Sequence, residues 1–159
     1  MGSGIGLVFP GQWSQSVGMG RALYDAHPAA QTIYKEASAV LGYDVAELCF
    51  NGPAERLNQT EYTQPALLTA SIAALRTLAP AGLKPVAVAG HSLGEYSALV
   101  AAGGLTFTAA AALVQKRGRY MAEAVPPGSG LVAAILGLAP DAVRDACQDA
   151  LNAHPARSA

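Results

Sequence analysis

The sequence predicts an α/β fold in which parallel strands are flanked by helices, and three observations predict it. Two short apolar runs, residues 5–9 and 85–89, are each stopped by a glycine-containing turn and lack the alternation of a half-exposed strand. Segments with apolar residues at helical spacing separate and follow them, giving the order strand, helices, strand, helices. Of 159 residues, 52% are hydrophobic and 13% charged. An average domain is about 25% charged, so this composition suits a buried core and excludes a disordered chain.

Taken in order, the first strand ends at Pro10-Gly11, and a polar, glycine-rich loop runs on to Gly20. Pro28 suits the first turn of a helix in which Ile33, Ala37, Val40 and Leu41 recur before Gly42 ends it. Residues 53–58 read as a further short helix. Pro65 opens a longer one, whose Leu68, Ile72, Leu75 and Leu78 form an apolar stripe as far as Pro80. After the second buried strand, one helix is expected from Leu93 to about Ala102 and another from Thr106 to about Ala124. Pro126-Pro127-Gly128-Ser129-Gly130 is the clearest linker. Beyond it, residues 131–138 read as a strand and 140–151 as a helix. A large subdomain over residues 1–127 and a smaller, incomplete one over 128–159 are therefore expected.

Ten basic and eleven acidic residues leave a formal net charge of −1, so no field gathers nucleic acid or an anionic membrane. Residues 96–115 carry no charge and are numerous enough to cross a bilayer. Gly103-Gly104 and the hydroxyls of Ser97, Thr106 and Thr108 instead mark two helices meeting at a turn. No basic segment leads into an apolar one at the start, so there is no sign of a secretion signal and a cytoplasmic protein is expected. Cys49 and Cys147 are too few and too far apart for a disulfide framework or a metal site; both read as small buried hydrophobes. No cofactor is expected.

The chemistry lies in Gly90-His91-Ser92-Leu93-Gly94, set between an apolar strand and a helix. That is the context of a nucleophile elbow: the glycines allow a sharp turn, and the serine hydroxyl projects at the strand's end. The helix start aims free N–H groups at the same place, which makes the Leu93 N–H a natural oxyanion donor. The motif alone does not separate hydrolase from transferase. Lys116-Arg117-Gly118-Arg119, taken by itself, is a solvated basic helix face.

Further segments narrow the choice. Phe9-Pro10-Gly11-Gln12-Trp13-Ser14-Gln15 with Gly18-Met19-Gly20, then Thr63-Gln64-Pro65-Ala66-Leu67, the run from Gly90 through Glu95-Tyr96-Ser97-Ala98-Leu99, and Arg117-Gly118 before Met121 together resemble the malonyl-CoA:acyl-carrier-protein transacylase family. The blocks come in the family's order and span almost the whole chain. The resemblance implies that Ser92 is acylated by malonyl-CoA and then attacked by the phosphopantetheine thiol of an acyl carrier protein. It implies that Gln12 joins the Leu93 N–H around the oxyanion and that Arg117 pairs with the free malonyl carboxylate. A guanidinium grips a carboxylate bidentately, and a pocket built on that pair penalises acyl groups without one. Gln64 lies near the pocket in that family, although a plain helix-start residue accounts for it equally well. His91, beside the nucleophile, is expected to shape the turn. Leu93 followed by Glu95-Tyr96 is similar to the malonyl-type, fatty-acid-synthesis version of the motif. The small second subdomain implied is ferredoxin-like α+β.

Two departures from the family stand out. Trp13 occupies a glycine position, where backbone closeness or a positive φ is easy for glycine and hard for tryptophan. Either the indole packs on a surface as a tolerated change, or it reshapes the pocket so that Trp13→Gly raises acyl transfer. The second departure is the base. Of His27, His91 and His154, the first and last read as boundary residues, whereas the family's histidine lies far downstream in a longer chain. Poor turnover by this chain alone is therefore expected, with association to a complementary C-terminal fragment or with itself through an exposed sheet edge. Two other readings remain at this point. One is an α/β-hydrolase esterase, which normally carries an HGGG-like oxyanion loop that is absent here. The other is a non-catalytic fragment that binds a carrier protein or a complementary chain.

Overall fold

The computed structural model describes residues 4–124, 133 and 135–153. Contacts divide the chain into two units, Met1–Pro126 and Pro127–Ala159. In the first, β1 (Ile5–Phe9) and β2 (Pro85–Gly90) pair in parallel, with Leu7 opposite Val88 and Phe9 opposite Gly90. Because the strands end level, the loop after β1 and the turn after β2 leave the sheet side by side. That is where open α/β sheets place their sites.

The strands are bridged and followed by α1 (Arg21–Ala26), α2 (Pro28–Leu41), α3 (Val45–Asn51), α4 (Ala54–Leu57), α5 (Thr60–Thr77), α6 (Gly94–Ala101) and α7 (Phe107–Ala124). Pro28 opens α2 and Gly42, at φ 79°, closes it, as the sequence leads one to expect. Two short helices, α1 and α3, have no counterpart among the expected elements. The second carries a local signal nonetheless: Asp44 caps it by accepting from the Glu47 N–H at 2.9 Å.

One helix start is corrected. α5 begins at Thr60, so Pro65 lies inside the helix rather than at its first turn. The ring removes one bond, to the Glu61 carbonyl. Burial outweighs that loss, since Pro65, Leu68 and Ile72 are all enclosed. α5 is the core's centre: α2 and α7 pack on it, and Val45, Leu57, Ala110 and Val114 close the remaining space.

The expectation of fully buried strands is also corrected. Phe9 is buried, but Val8 is 79% and Val86 75% exposed. Helix α6 covers one face of the sheet, and nothing among the described residues covers the other. A groove of about 380 Å³ opens between β1 and α5, lined by Leu7, Phe9, Leu67, Ala74 and Leu75 among others.

The second unit contributes α8 (Pro140–Ala153), whose Asp141 and Arg144 form an exposed ion pair at 2.8 Å. Of the strand expected over residues 131–138, positions 131, 132 and 134 lie outside the described residues, and 133 and 135–138 are not in a strand. Cys147, expected to be buried, is exposed on α8. Among the described residues, no helix is long and apolar enough to cross a membrane.

Candidate active site

Ser92 stands in the turn between β2 and α6 at φ 53°, in the left-handed region. A serine held there costs on the order of 1–3 kcal/mol, and such strain clusters at functional sites. Local packing enforces it. The His91 N–H still bonds the Phe9 carbonyl at 3.1 Å, as if the strand continued, while the Gly94 N–H already bonds the His91 carbonyl at 2.8 Å. The reversal therefore falls on Ser92. A Cβ on Gly94 would lie 2.7 Å from the Pro10 carbonyl oxygen and one on Gly90 would strike Gly94 itself, so both glycines are sterically required. Leu93 sinks its side chain into the core, 1% exposed, and anchors the turn.

Four of the expected site residues are joined in one chain of hydrogen bonds. Arg117 donates from Nη2 to Ser92 Oγ at 3.1 Å and from Nη1 to Gln64 Oε1 at 2.7 Å. Gln64 Nε2 donates to Thr60 Oγ1 at 2.9 Å, and Thr60 Oγ1 lies 2.9 Å from Gln12 Oε1. Gln64 is completely buried, so its amide must find partners, and it does. The Arg117 guanidinium carbon also sits 5.9 Å from the Tyr96 ring centroid.

Helix packing brings Arg117 there. A Cβ on Gly118 would lie 2.7 Å from both the Glu61 Cα and the Thr60 carbonyl oxygen, so α7 touches the first turn of α5 at its backbone. Lys116 and Arg119 remain on the outer face; Arg119 reaches Glu61 only at 3.9 Å. The basic-face reading thus describes Arg117's neighbours and not Arg117.

The other expected residues are placed as follows. His91 is exposed, and its Nδ1 would lie 2.5 Å from a Cβ on Gly11, so the ring covers the backbone next to Gln12. His27 is an exposed helix-boundary residue before Pro28, and His154 lies outside the described residues. Among the described residues, no histidine side chain hydrogen-bonds Ser92. Trp13 takes φ 83°, the conformation that its position favours in glycine, with the side chain 80% exposed rather than packed on a surface. The Trp13 main-chain N–H donates to Gln15 Oε1 at 2.8 Å.

Sequence reasoning misses Thr60 and the role of Gly118. The Thr60-x-x-x-Gln64 spacing places both on one helix face, which is a signal only once the helix start is known.

Comparison with known proteins shows the family. The malonyl CoA-acyl carrier protein transacylase of Escherichia coli K12 is 53% identical over 145 residues, covering 91% of this chain and 47% of the relative. The protein of the same name from Bacillus subtilis is 51% identical over 142 residues, covering 89% and 45%. The crystal structure of an acyl carrier protein S-malonyltransferase from Vibrio cholerae superposes with a TM-score of 0.87 at 51% identity, covering 93% of this chain and 49% of that one. A holo complex of a type II PKS acyl-carrier protein with its malonyl-transacylase gives a TM-score of 0.89 at 47% identity, covering 95% and 49%. The chain therefore spans about half the length of the curated relatives it matches. Residues 7–156 match the acyl transferase domain, and the chain belongs to that family.

Proposed function

We propose that this protein transfers a malonyl group from coenzyme A to the phosphopantetheine thiol of an acyl carrier protein through an ester on Ser92. Ser92 Oγ forms a bond to the thioester carbonyl carbon, the carbon–sulfur bond breaks, and coenzyme A leaves as the thiol with the serine's proton. The carrier's thiol then attacks the ester, the serine oxygen regains a proton, and the malonyl group departs as a new thioester. Gln12 and the Leu93 N–H hold the oxyanion in both steps, Arg117 holds the distal carboxylate, and His91 and Gln64 border the acyl group. Residues 1–127 form the subdomain that carries this chemistry, and 128–159 begin a smaller one.

The observation that carries the reading is the position of Arg117. A cation fixed by Gln64 within hydrogen-bond distance of the nucleophile suits an acyl group with its own negative charge, and it has no use in a neutral ester pocket. The base that takes the serine's proton comes from outside the described residues, so slow turnover by the chain alone is part of the proposal.

Intact-mass measurement after mixing with malonyl-CoA tests it. A malonyl adduct that Ser92→Ala abolishes, and that holo acyl carrier protein removes, is expected. No adduct, or faster reaction with a neutral short-chain ester than with malonyl-CoA, argues against it. Fast multiple turnover would refute the claim about the base.

The exposed valines favour a second, compatible reading: the uncovered sheet face binds a complementary polypeptide. A chain that stays monomeric at every concentration and captures no segment from a full-length relative would count against it.

A further inference from the structure

We infer that Tyr96 is a positioning residue whose ring sets the tilt of the Arg117 guanidinium toward the distal carboxylate of the acyl group; this rests on the proposed acyl transfer. Two bonds hold the guanidinium: Nη1 donates to Gln64 Oε1 at 2.7 Å and Nη2 to Ser92 Oγ at 3.1 Å. Both leave from the terminal nitrogens, so they fix one edge of the group and leave it free to rock about that edge. A support off the plane is needed to stop the rocking. The Tyr96 ring supplies it, with the guanidinium carbon over the ring at 5.9 Å from its centroid, a distance at which a ring face attracts a cation. Among the described residues no carboxylate pairs with Arg117, so no ion pair competes with the ring.

The tilt matters for the chemistry. A carboxylate is gripped by two parallel N–H bonds only when its plane and that of the guanidinium coincide. A rocked guanidinium offers one bond in place of two. The ring is in turn tied to the nucleophile's turn. The Tyr96 N–H bonds the Leu93 carbonyl at 3.0 Å, and Leu93, 1% exposed, anchors that turn in the core. The ring is half-buried and packs against the core. One short stretch of chain thus carries both Ser92 and the surface on which the guanidinium rests. The attraction belongs to the ring face and needs no hydroxyl.

Tyr96→Leu removes the aromatic face and keeps a bulky apolar side chain, and Tyr96→Phe keeps the face. Tyr96→Met, also without a ring, replaces Tyr96→Leu should that variant melt below the parent. Two measurements on the full chain test the inference. In single-turnover acylation by malonyl-CoA, Tyr96→Leu should raise the half-saturating concentration about 10-fold and change the saturating rate less than about threefold. That split is expected when a contact made equally in the ground and transition states is weakened. With acetyl-CoA, which has no distal carboxylate, neither quantity should change more than about twofold. Tyr96→Phe should match the parent within about twofold on both thioesters. In 15N spectra the Arg117 side-chain Nε–H resonance should move in Tyr96→Leu and stay near its original position in Tyr96→Phe. Equal losses with both thioesters overturn the inference, and so does an unchanged half-saturating concentration for malonyl-CoA. Failure of Tyr96→Phe to match the parent, in a variant that melts like it, overturns it too. An unmoved Arg117 resonance in Tyr96→Leu does so whatever the rates are. If neither the parent nor any variant is acylated, the acyl-transfer reading fails, and the spectra still decide whether the ring holds the guanidinium.

Discussion

Arg117 holds Ser92 Oγ at 3.1 Å with one terminal nitrogen while Gln64 holds its other terminal nitrogen at 2.7 Å. The guanidinium is fixed at one corner by a buried amide and meets the Ser92 hydroxyl at the other. Arg117→Ala should therefore slow Ser92 acylation by malonyl-CoA about 100-fold, the scale of a charge-assisted hydrogen bond worth roughly 2–3 kcal/mol. Acylation by acetyl-CoA, which has no distal carboxylate, should change less than about threefold. Equal losses with both thioesters would mean that the arginine serves the turn's structure and not the acyl group.

Gly118 makes that placement possible, and the sign of a stability change tests it. A glycine inside an exposed helix is about 1 kcal/mol worse than alanine, so on a free helix Gly118→Ala would stabilise. Here the added methyl meets the Glu61 Cα and the Thr60 carbonyl at 2.7 Å, and backbone cannot step aside as a side chain does. The variant should lose about 1–3 kcal/mol, and the shift of α7 should slow malonyl acylation as well. A raised melting temperature would show that α5 and α7 do not touch there.

These two cases mark what the sequence carries and what it does not. The elbow is legible because every constraint on it is local: an apolar strand, two obligatory glycines and a helix start within ten residues. Resemblance adds Gln12, Gln64 and Arg117. Thr60 is not legible, since its hydroxyl meets a loop 48 positions earlier in the chain, a contact only the folded packing sets. The misjudged start of α5 has the same origin. Pro65 reads as a helix opener by propensity, and tertiary burial overrides it. The short helices α1 and α3 escape periodicity because six and seven residues hold too few turns to show one.

Trp13 at φ 83° holds a strained backbone next to Gln12. The indole stands in solvent, 80% exposed, and Gln12 beside it still reaches Thr60. Trp13→Gly should therefore raise stability by about 1 kcal/mol, relief of left-handed strain being partly offset by glycine's greater freedom when unfolded. Acylation should change less than about twofold. A several-fold faster reaction would instead favour the expectation that tryptophan obstructs the pocket.

Cys49 and Tyr34 make the fold sensitive to alkali. Burial pushes the Cys49 thiol from about 9 up to about 12, partly offset by the neighbouring Tyr34 phenol. Burial also raises the Tyr34 and Tyr43 phenols well above their ordinary range. Below about pH 9 the thiol keeps its proton both folded and unfolded, and stability does not depend on it. Between about pH 9 and 12 only the unfolded chain ionises at this residue, so unfolding is favoured increasingly as pH rises. The slope is at most about 1.4 kcal/mol per pH unit for each such group, and the tyrosines add to it above about pH 10. Denaturant midpoints should accordingly be level from pH 7 to 8.5 and fall steeply by pH 10.5, with a shallower fall in Cys49→Ala. Thiol titration gives an independent check. Cys147 is exposed and should react at once with an aromatic disulfide, whereas Cys49 is fully buried and should react only at the rate of unfolding. Two equally fast thiols in the folded protein would place Cys49 outside the core and remove the basis for the alkaline slope.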